Sequence, residues 1–298
     1  MPVLLSLMLM QANLDPAGIS SPYVSALPRE IVEKKADEER KRRAEQAAEA
    51  AGPAIPQSNT GCMLAVESDP ERSADIARKA MGEAQGRARV RAGLCLGVAL
   101  SELDRWDEAR TAFLQARDAA DGEDHPSRAR LGAMAGNAAL AGGKAGEALS
   151  ILAPAAADAR QAEDNALLGS IALDRARALV SLGQTDEAAM ALSEARTADA
   201  ANPQAWLLSA TLSRRQNKLA EAQTQIEKAA ELAPQDPDVG LEAGVIAVLS
   251  GRDEAARRSW NSVLATSPDS PQAATAKGYI AQLGSAGPAA KVPPTKAK

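Results

Sequence analysis

Residues 100–116, LSELDRWDEARTAFLQA, are rewritten four times further along the chain. The copies are AGGKAGEALSILAPA (141–155), SLGQTDEAAMALSEA (181–195), RQNKLAEAQTQIEKA (215–229) and LSGRDEAARRSWNSV (249–263). In each, a small or turn-prone residue (Asp104, Gly143, Gly183, Asn217, Gly251) precedes a Glu and then an Ala, with a bulky apolar residue four positions after that Ala. In the last copy Glu254 stands one residue early. A unit this short cannot bury its apolar face by itself, so its recurrence requires that copies stack on one another.

Composition says what the stack is made of. Aromatics are 2% of the 298 residues, and the whole supply is Trp106, Trp206, Trp260, Phe113, Tyr23 and Tyr279. Alanine and leucine carry most of the hydrophobic content, which suits closely packed helices. Strong helix formers dominate and runs of β-branched residues are nearly absent, so strands are not expected. The net charge of -5 with pI near 5.2 argues against a nucleic-acid partner, which would require a concentrated basic face.

Aligned on Ala109, Ala148, Ala188, Ala222 and Ala256, the copies step by 39, 40, 34 and 34 residues. The segment GLCLGVALSELDRWDEARTAFLQA supplies Leu96, Gly97, Glu108, Ala109, Phe113 and Ala116. The fourth unit supplies Trp206, Glu221, Ala222, Ile226, Ala229 and Pro234, with Ser209 and Ala210 in the Leu-Gly place. Gly136, Gly143 and Ala148 mark the second unit, and Gly244, Trp260 and Pro268 the fifth. The third sets Arg175 where a core residue belongs. This pattern resembles the tetratricopeptide repeat family, in a bacterial member, whose unit is a helix-turn-helix of about 34 residues.

The resemblance implies an all-α, right-handed superhelical α-solenoid over residues 60–284. It comprises a partial repeat (60–86), repeats near 90–123, 129–162, 169–202, 203–236 and 237–270, and a capping helix (270–284). Extra residues at DGEDHPS and ADARQAEDNA read as longer helix ends or loops. Glycine and alanine are expected where helices A and B cross, at about 8 to 10 Å between axes. Phe113, Leu152, Leu192, Ile226 and Trp260 are expected to fill the space between successive units. Ser270 is a helix N-cap candidate with Pro271 at the first helical position.

Outside the repeats, residues 1–14 form a signal-like apolar segment, and its run 3–10, broken only by Ser6, is too short to span a bilayer. It fits the core of a secretory signal, but no Lys or Arg precedes it and MQA is a poor cleavage site. Residues 15–59 read as a charged linker or helix, partly disordered, and 285–298 as a disordered tail. Cys62 and Cys95 lie 33 residues apart, about one repeat, which places them on neighbouring A helices. Two independent buried thiols and a structural disulfide are both open. A disulfide would favour a periplasmic or otherwise exported location, the alternative being cytoplasmic.

No P-loop, dinucleotide-binding glycine pattern or Gly-x-Ser-x-Gly elbow appears, and the one histidine, His125, has no partners suited to a metal site. Neither catalysis nor a cofactor or metal is expected; GEDHP (122–126) offers at most a weak cation site. The resemblance implies a concave groove lined by A helices. Its positions map to Arg91, Leu94 and Val98; Arg130, Ala133 and Asn137; Leu173, Arg177 and Val180; Leu207, Thr211 and Arg214; and Leu241 and Val245. Arginines among aliphatics suit an acidic and apolar protein or peptide partner. The lysines and paired asparagines of carboxylate-clamp chaperone cofactors are missing. The expected function is thus a non-catalytic adaptor working through the groove; the alternatives are a scaffold of a cell-envelope assembly or a regulatory subunit of a separately encoded enzyme.

Overall fold

The computed structural model describes residues 40–43 and 65–283. Among the described residues there is no strand, and twelve helices follow the short helical piece at 65–68. They are α1 (Pro70–Glu83), α2 (Gly86–Glu102), α3 (Trp106–Asp118), α4 (His125–Ala141), α5 (Ala145–Gln161) and α6 (Asn165–Ser181). Then come α7 (Thr185–Ala198), α8 (Pro203–Arg215), α9 (Leu219–Leu232), α10 (Pro237–Leu249), α11 (Asp253–Thr266) and α12 (Pro271–Gln282). The expected repeats are thus the hairpins α2/α3, α4/α5, α6/α7, α8/α9 and α10/α11, with α1 as the second helix of the partial unit. Residues 40–43 are helical within the charged segment; segment 1–14, Cys62 and the tail 285–298 lie outside the described residues.

The five turn residues of the repeated motif do one job. Asp104, Gly143, Gly183, Asn217 and Gly251 all have left-handed backbone, with φ of 57°, 72°, 75°, 59° and 70°. Each closes its A helix with a Schellman pair. In the first hairpin Arg105 N donates to Leu100 O at 2.9 Å and Asp104 N to Ser101 O at 3.2 Å; in the last, Arg252 N donates to Ala247 O and Gly251 N to Val248 O, both at 2.9 Å. Side-chain caps start most A helices. Asp124, Asp164, Asn202 and Asp236 accept from backbone N–H groups of α4, α6, α8 and α10, and Ser270 Oγ accepts from Ala273 N at 3.1 Å to start α12.

The helices of a hairpin meet through small residues four apart on A and larger ones three apart on B. A Cβ on Gly97 would lie 2.3 Å from the Phe113 ring, one on Gly136 2.3 Å from Leu152, and one on Gly244 2.0 Å from Trp260 Nε1. One turn earlier, Gly93, Gly132 and Gly240 sit against Ala116, Ala155 and Val263. These contacts correct one expectation. Phe113, Leu152 and Trp260 fill the crossing inside their own repeat rather than only the space between repeats, because the glycine opposite leaves a hole of matching depth. Trp260 also donates its indole N–H to Leu241 O at 3.1 Å.

The chain divides into two compact units at Ala200/Ala201, and the division coincides with a change in repeat length. In unit 1 the A helices α2, α4 and α6 have 17 residues each; in unit 2, α8 and α10 have 13. The additional residues sit at the amino-terminal end: α2 begins at Gly86 and α4 at His125 rather than near 90 and 129. Most of the excess in the first two steps is therefore one added helical turn, with α5, at 17 residues, absorbing part of the second.

The crossings generate the first prediction. Gly97→Leu overpacks the first hairpin and should cost about 1 to 3 kcal/mol or more. Gly278→Ala, where an added Cβ meets nothing within 4 Å, should instead stabilise by about 0.5 to 1 kcal/mol. Thermal melts of the two variants should move in opposite directions; a neutral Gly97→Leu contradicts the packing described.

Candidate functional site

Because the glycines and alanines of each A helix point at its B helix, the opposite side of A is left over. On α2, Ala92, Gly93, Leu96 and Gly97 are buried, while Arg87 and Arg91 are exposed and Leu94 is half-buried. On α4, Pro126 and Arg130 are exposed and Met134, Asn137 and Ala141 are half-buried. These positions recur at three and four residues and form one stripe per helix.

The sequence-expected groove residues divide sharply by accessibility. Arg91 and Arg130 are exposed and have no ion-pair or hydrogen-bond partner among the described residues. Val98, Ala133, Leu173, Val180, Leu207 and Leu241 are buried, and Leu94 and Val245 half-buried. Thr211 is buried, and Arg177 lies 7% exposed with Nη1 donating to Asp174 Oδ1 at 2.6 Å. Arg214, in unit 2, donates from Nε to Glu242 Oε1 at 2.6 Å. Arg177 and Arg214 are therefore held by carboxylates that are each only 2% exposed. The motif frame missed Asp174 and Glu242 because the equivalent positions in other repeats carry Cys95, Met134 and Leu208.

Burial holds the Asp174 carboxyl above the ordinary aspartate range, against the opposing pull of the Arg177 guanidinium and the Asn137 carboxamide from α4. Asn137 Oδ1 is itself buried without a donor among the described residues. In unit 2, Asp238 is likewise raised, first by burial and then by nearby Asp236, while a 2.9 Å hydrogen bond from Gln272 Nε2 works the other way. At the α8/α9 crossing, Ser213 Oγ donates to Gln225 Oε1 and Gln225 Nε2 to Glu221 Oε1, both at 2.8 Å.

The B-helix side is different in kind. Lys144 meets Asp107 at 2.7 Å, Arg110 meets Glu147 at 2.5 Å, and Glu194 receives both Arg160 and, at 2.6 Å, Arg175. Arg175 thus pairs with α7 instead of entering the core, which accounts for its odd place in the third repeat. His125 Nδ1 lies 2.8 Å from Asp158 Oδ1 and ties α4 to α5. Among the described residues no group of three or more His, Cys, Asp and Glu is arranged to hold a metal, so GEDHP makes no cation site there. An open depression of about 360 Å³ lined by Gln85, Gly86, Arg89, Gln115, Asp118 and Ala119 has no apolar anchor to enclose a small molecule. Cys95, half-buried on α2, is disulfide-bonded; Cys62 lies outside the described residues. No described helix is long and apolar enough to cross a membrane.

The tetratricopeptide repeat family matches residues 173–237 and 208–274. Among solved structures, Pseudomonas aeruginosa pilF has a TM-score of 0.57 at 14% identity, covering 82% of this chain and 98% of that one. PilW, a widely conserved type IV pilus biogenesis factor, gives 0.58 at 18% identity over 73% of this chain and 95% of its own. MamA from Desulfovibrio magneticus RS-1 gives 0.51 at 15% identity over 63% and 100%. No curated protein matches the sequence. At such identities the likeness is one of fold. Residues 173–274 are thus tetratricopeptide repeats, and the general role that they support is that of a protein-interaction adaptor or scaffold.

The raised carboxyls yield a prediction with a definite sign. A group whose folded pKa exceeds its unfolded value contributes stability that is full below the unfolded pKa and is lost as pH rises through the folded one. Asp238→Asn removes that loss while still accepting from Gln272. The melting-temperature difference, variant minus wild type, should therefore be more positive at neutral pH than near pH ~4. Asp174→Asn is a poorer probe, because it would leave Arg177 buried without its counter-charge.

Proposed function

We propose that the protein is a non-catalytic adaptor that receives a segment of a partner protein along the A-helix face of unit 1. The supporting observation is the contrast in charge satisfaction. Arg91 and Arg130 stand exposed and unpaired on the stripes that carry half-buried Leu94 and Met134, whereas Arg110, Lys144 and Arg160 on the B-helix side are each matched to a carboxylate of the neighbouring repeat. Guanidinium groups above aliphatic side chains suit a segment carrying carboxylates and apolar residues.

The test uses a photo-reactive amino acid in the native host. Placed at Leu94 or Met134, it should capture a partner, and capture should fail in the double variant Arg91→Glu/Arg130→Glu with the fold intact. Placed at Met190, 66% exposed on α7, it should capture nothing. Adducts from Met190 alone would instead favour a scaffold working through its B helices. Arg177 is unsuitable for such a variant, since breaking a buried pair costs about 3 to 5 kcal/mol.

A location outside the reducing cytoplasm fits this role, and the disulfide-bonded state of Cys95 supports it. The only other cysteine of the chain is Cys62, and we propose it as the partner. Non-reducing mass spectrometry of freshly quenched protein from the native host should find the linked pair. Two free thiols would remove the argument for export.

A further inference from the structure

We infer that the helical turn added to α2, through Arg87, extends exposed Arg91 and Arg130 into a cationic rim that selects a partner segment whose acidic residues adjoin its apolar ones. The inference rests on the docking face proposed above and names what that face recognises.

The geometry begins with helix length. Gly86 stands eleven residues before the crossing Gly97, whereas Pro237 stands seven before Gly244. Four more residues lengthen the α2 wall by about 6 Å. Arg87 lies in this added turn, four residues before Arg91 and thus on the same stripe, and is exposed. Neither it nor Arg91 nor Arg130 has an ion-pair or hydrogen-bond partner among the described residues. Beyond the rim the stripe becomes apolar through half-buried Leu94 on α2 and Met134 on α4, with Val98 buried beneath it, and Glu102 is the charged residue at the far end of α2. The stripe on α2 therefore has a polarity, positive at its amino-terminal end, aliphatic in the middle and negative at the opposite end, while on α4 it runs from Arg130 through Met134 to Asn137.

Local stability does not explain this arrangement. Two arginines four apart repel, and cations in the first turns oppose the helix dipole. The first turn of α2 holds no acid and its N-cap, Gln85, makes no side-chain hydrogen bond. The B helices show the alternative: Asp107 and Glu108 open α3, Glu147 opens α5, and Asp186 and Glu187 open α7. Placing arginine at the start of α2 suits a partner that brings the missing carboxylates. A nucleic acid would also supply anions, but the aliphatic stripe and the net charge of -5 favour a protein segment.

Fluorescence anisotropy on the full chain tests the assignment with three labelled probes: a peptide with a glutamate block followed by a leucine-rich block, the same leucine block after lysines, and oligodeoxythymidylate. Only the glutamate-leucine peptide should bind. Arg87→Glu should weaken it about tenfold at low salt, and the gap should close as salt screens the rim. The variant's melting temperature should stay or rise, since an acid suits the first turn; a merely structural arginine would move stability and not affinity. Failure of the glutamate-leucine peptide to bind, equal binding by either other probe, or wild-type affinity in Arg87→Glu overturns the rim. If the rim fails while cross-links persist at Leu94 and Met134, the docking face stands; if those are also absent, both readings fall.

Discussion

Everything in this fold depends on how closely helix A can approach helix B. The approach is set by hydrogen atoms: Gly97, Gly136 and Gly244 have no Cβ where Phe113, Leu152 and Trp260 press in. Such a hole is directional. It turns the small-residue side of every A helix toward its own B helix and thereby fixes the opposite side as the stripe that neighbouring helices or a partner must cover. At the equivalent positions the third and fourth hairpins bury Ala176 and Leu192, and Ala210 and Ile226, so in these two, where the large residue of the B helix is aliphatic, alanine stands in place of glycine.

Two units use this crossing with different polar devices. In unit 1 the buried pair Asp174–Arg177 lies within one helix, and Asn137 on α4 acts on the same carboxylate. In unit 2 Arg214 and Glu242 join α8 to α10 directly. Buried pairs are weak sources of net stability, because desolvating both charges offsets most of their attraction. What an interhelical pair does supply is geometry. A guanidinium fork and a carboxylate tolerate little sliding, so Arg214–Glu242 fixes α8 against α10 among alanines that would otherwise permit small shifts, whereas Asp174–Arg177 stays within α6.

The repeat grammar was legible in the sequence to the level of backbone angles: the five residues singled out at the turns all have positive φ, and Ser270 caps the helix that begins at Pro271. The added turns were visible only as surplus length. Such surplus is compatible with longer helix ends or with loops, and it does not single out Arg87. Nor could the motif frame rank the arginines, since Arg130 and Arg177 both read as groove positions. Their difference lies in Asp174, which occupies a place where the first, second and fourth repeats carry Cys95, Met134 and Leu208 and only the fifth carries another acid, Glu242. Burial of a cation depends on a counter-charge elsewhere in the fold, and periodicity carries no information about it. The roles of Phe113 and Leu152 were misplaced for a related reason: the pattern shows that a large residue is needed, but only coordinates show which neighbour has made room.

The last described helix packs differently from the A helices before it. Helix α12 takes the place of a sixth A helix: Ala273 and Ala276 are buried, and Tyr279 tilts against Trp260 with ring centroids 5.2 Å apart. No described B helix follows to fill a crossing, and α12 supplies no glycine hole that would call for one, since an added Cβ on Gly278 meets open space. Lys277, Ala281 and Gln282 are exposed, so the last apolar surface of α11 is covered by a helix whose other side is small or polar. Burial raises the Tyr279 hydroxyl's affinity for its proton, which keeps it neutral beside the Arg214–Glu242 pair. One helix thus covers the apolar side of the last described hairpin without presenting a large apolar face of its own.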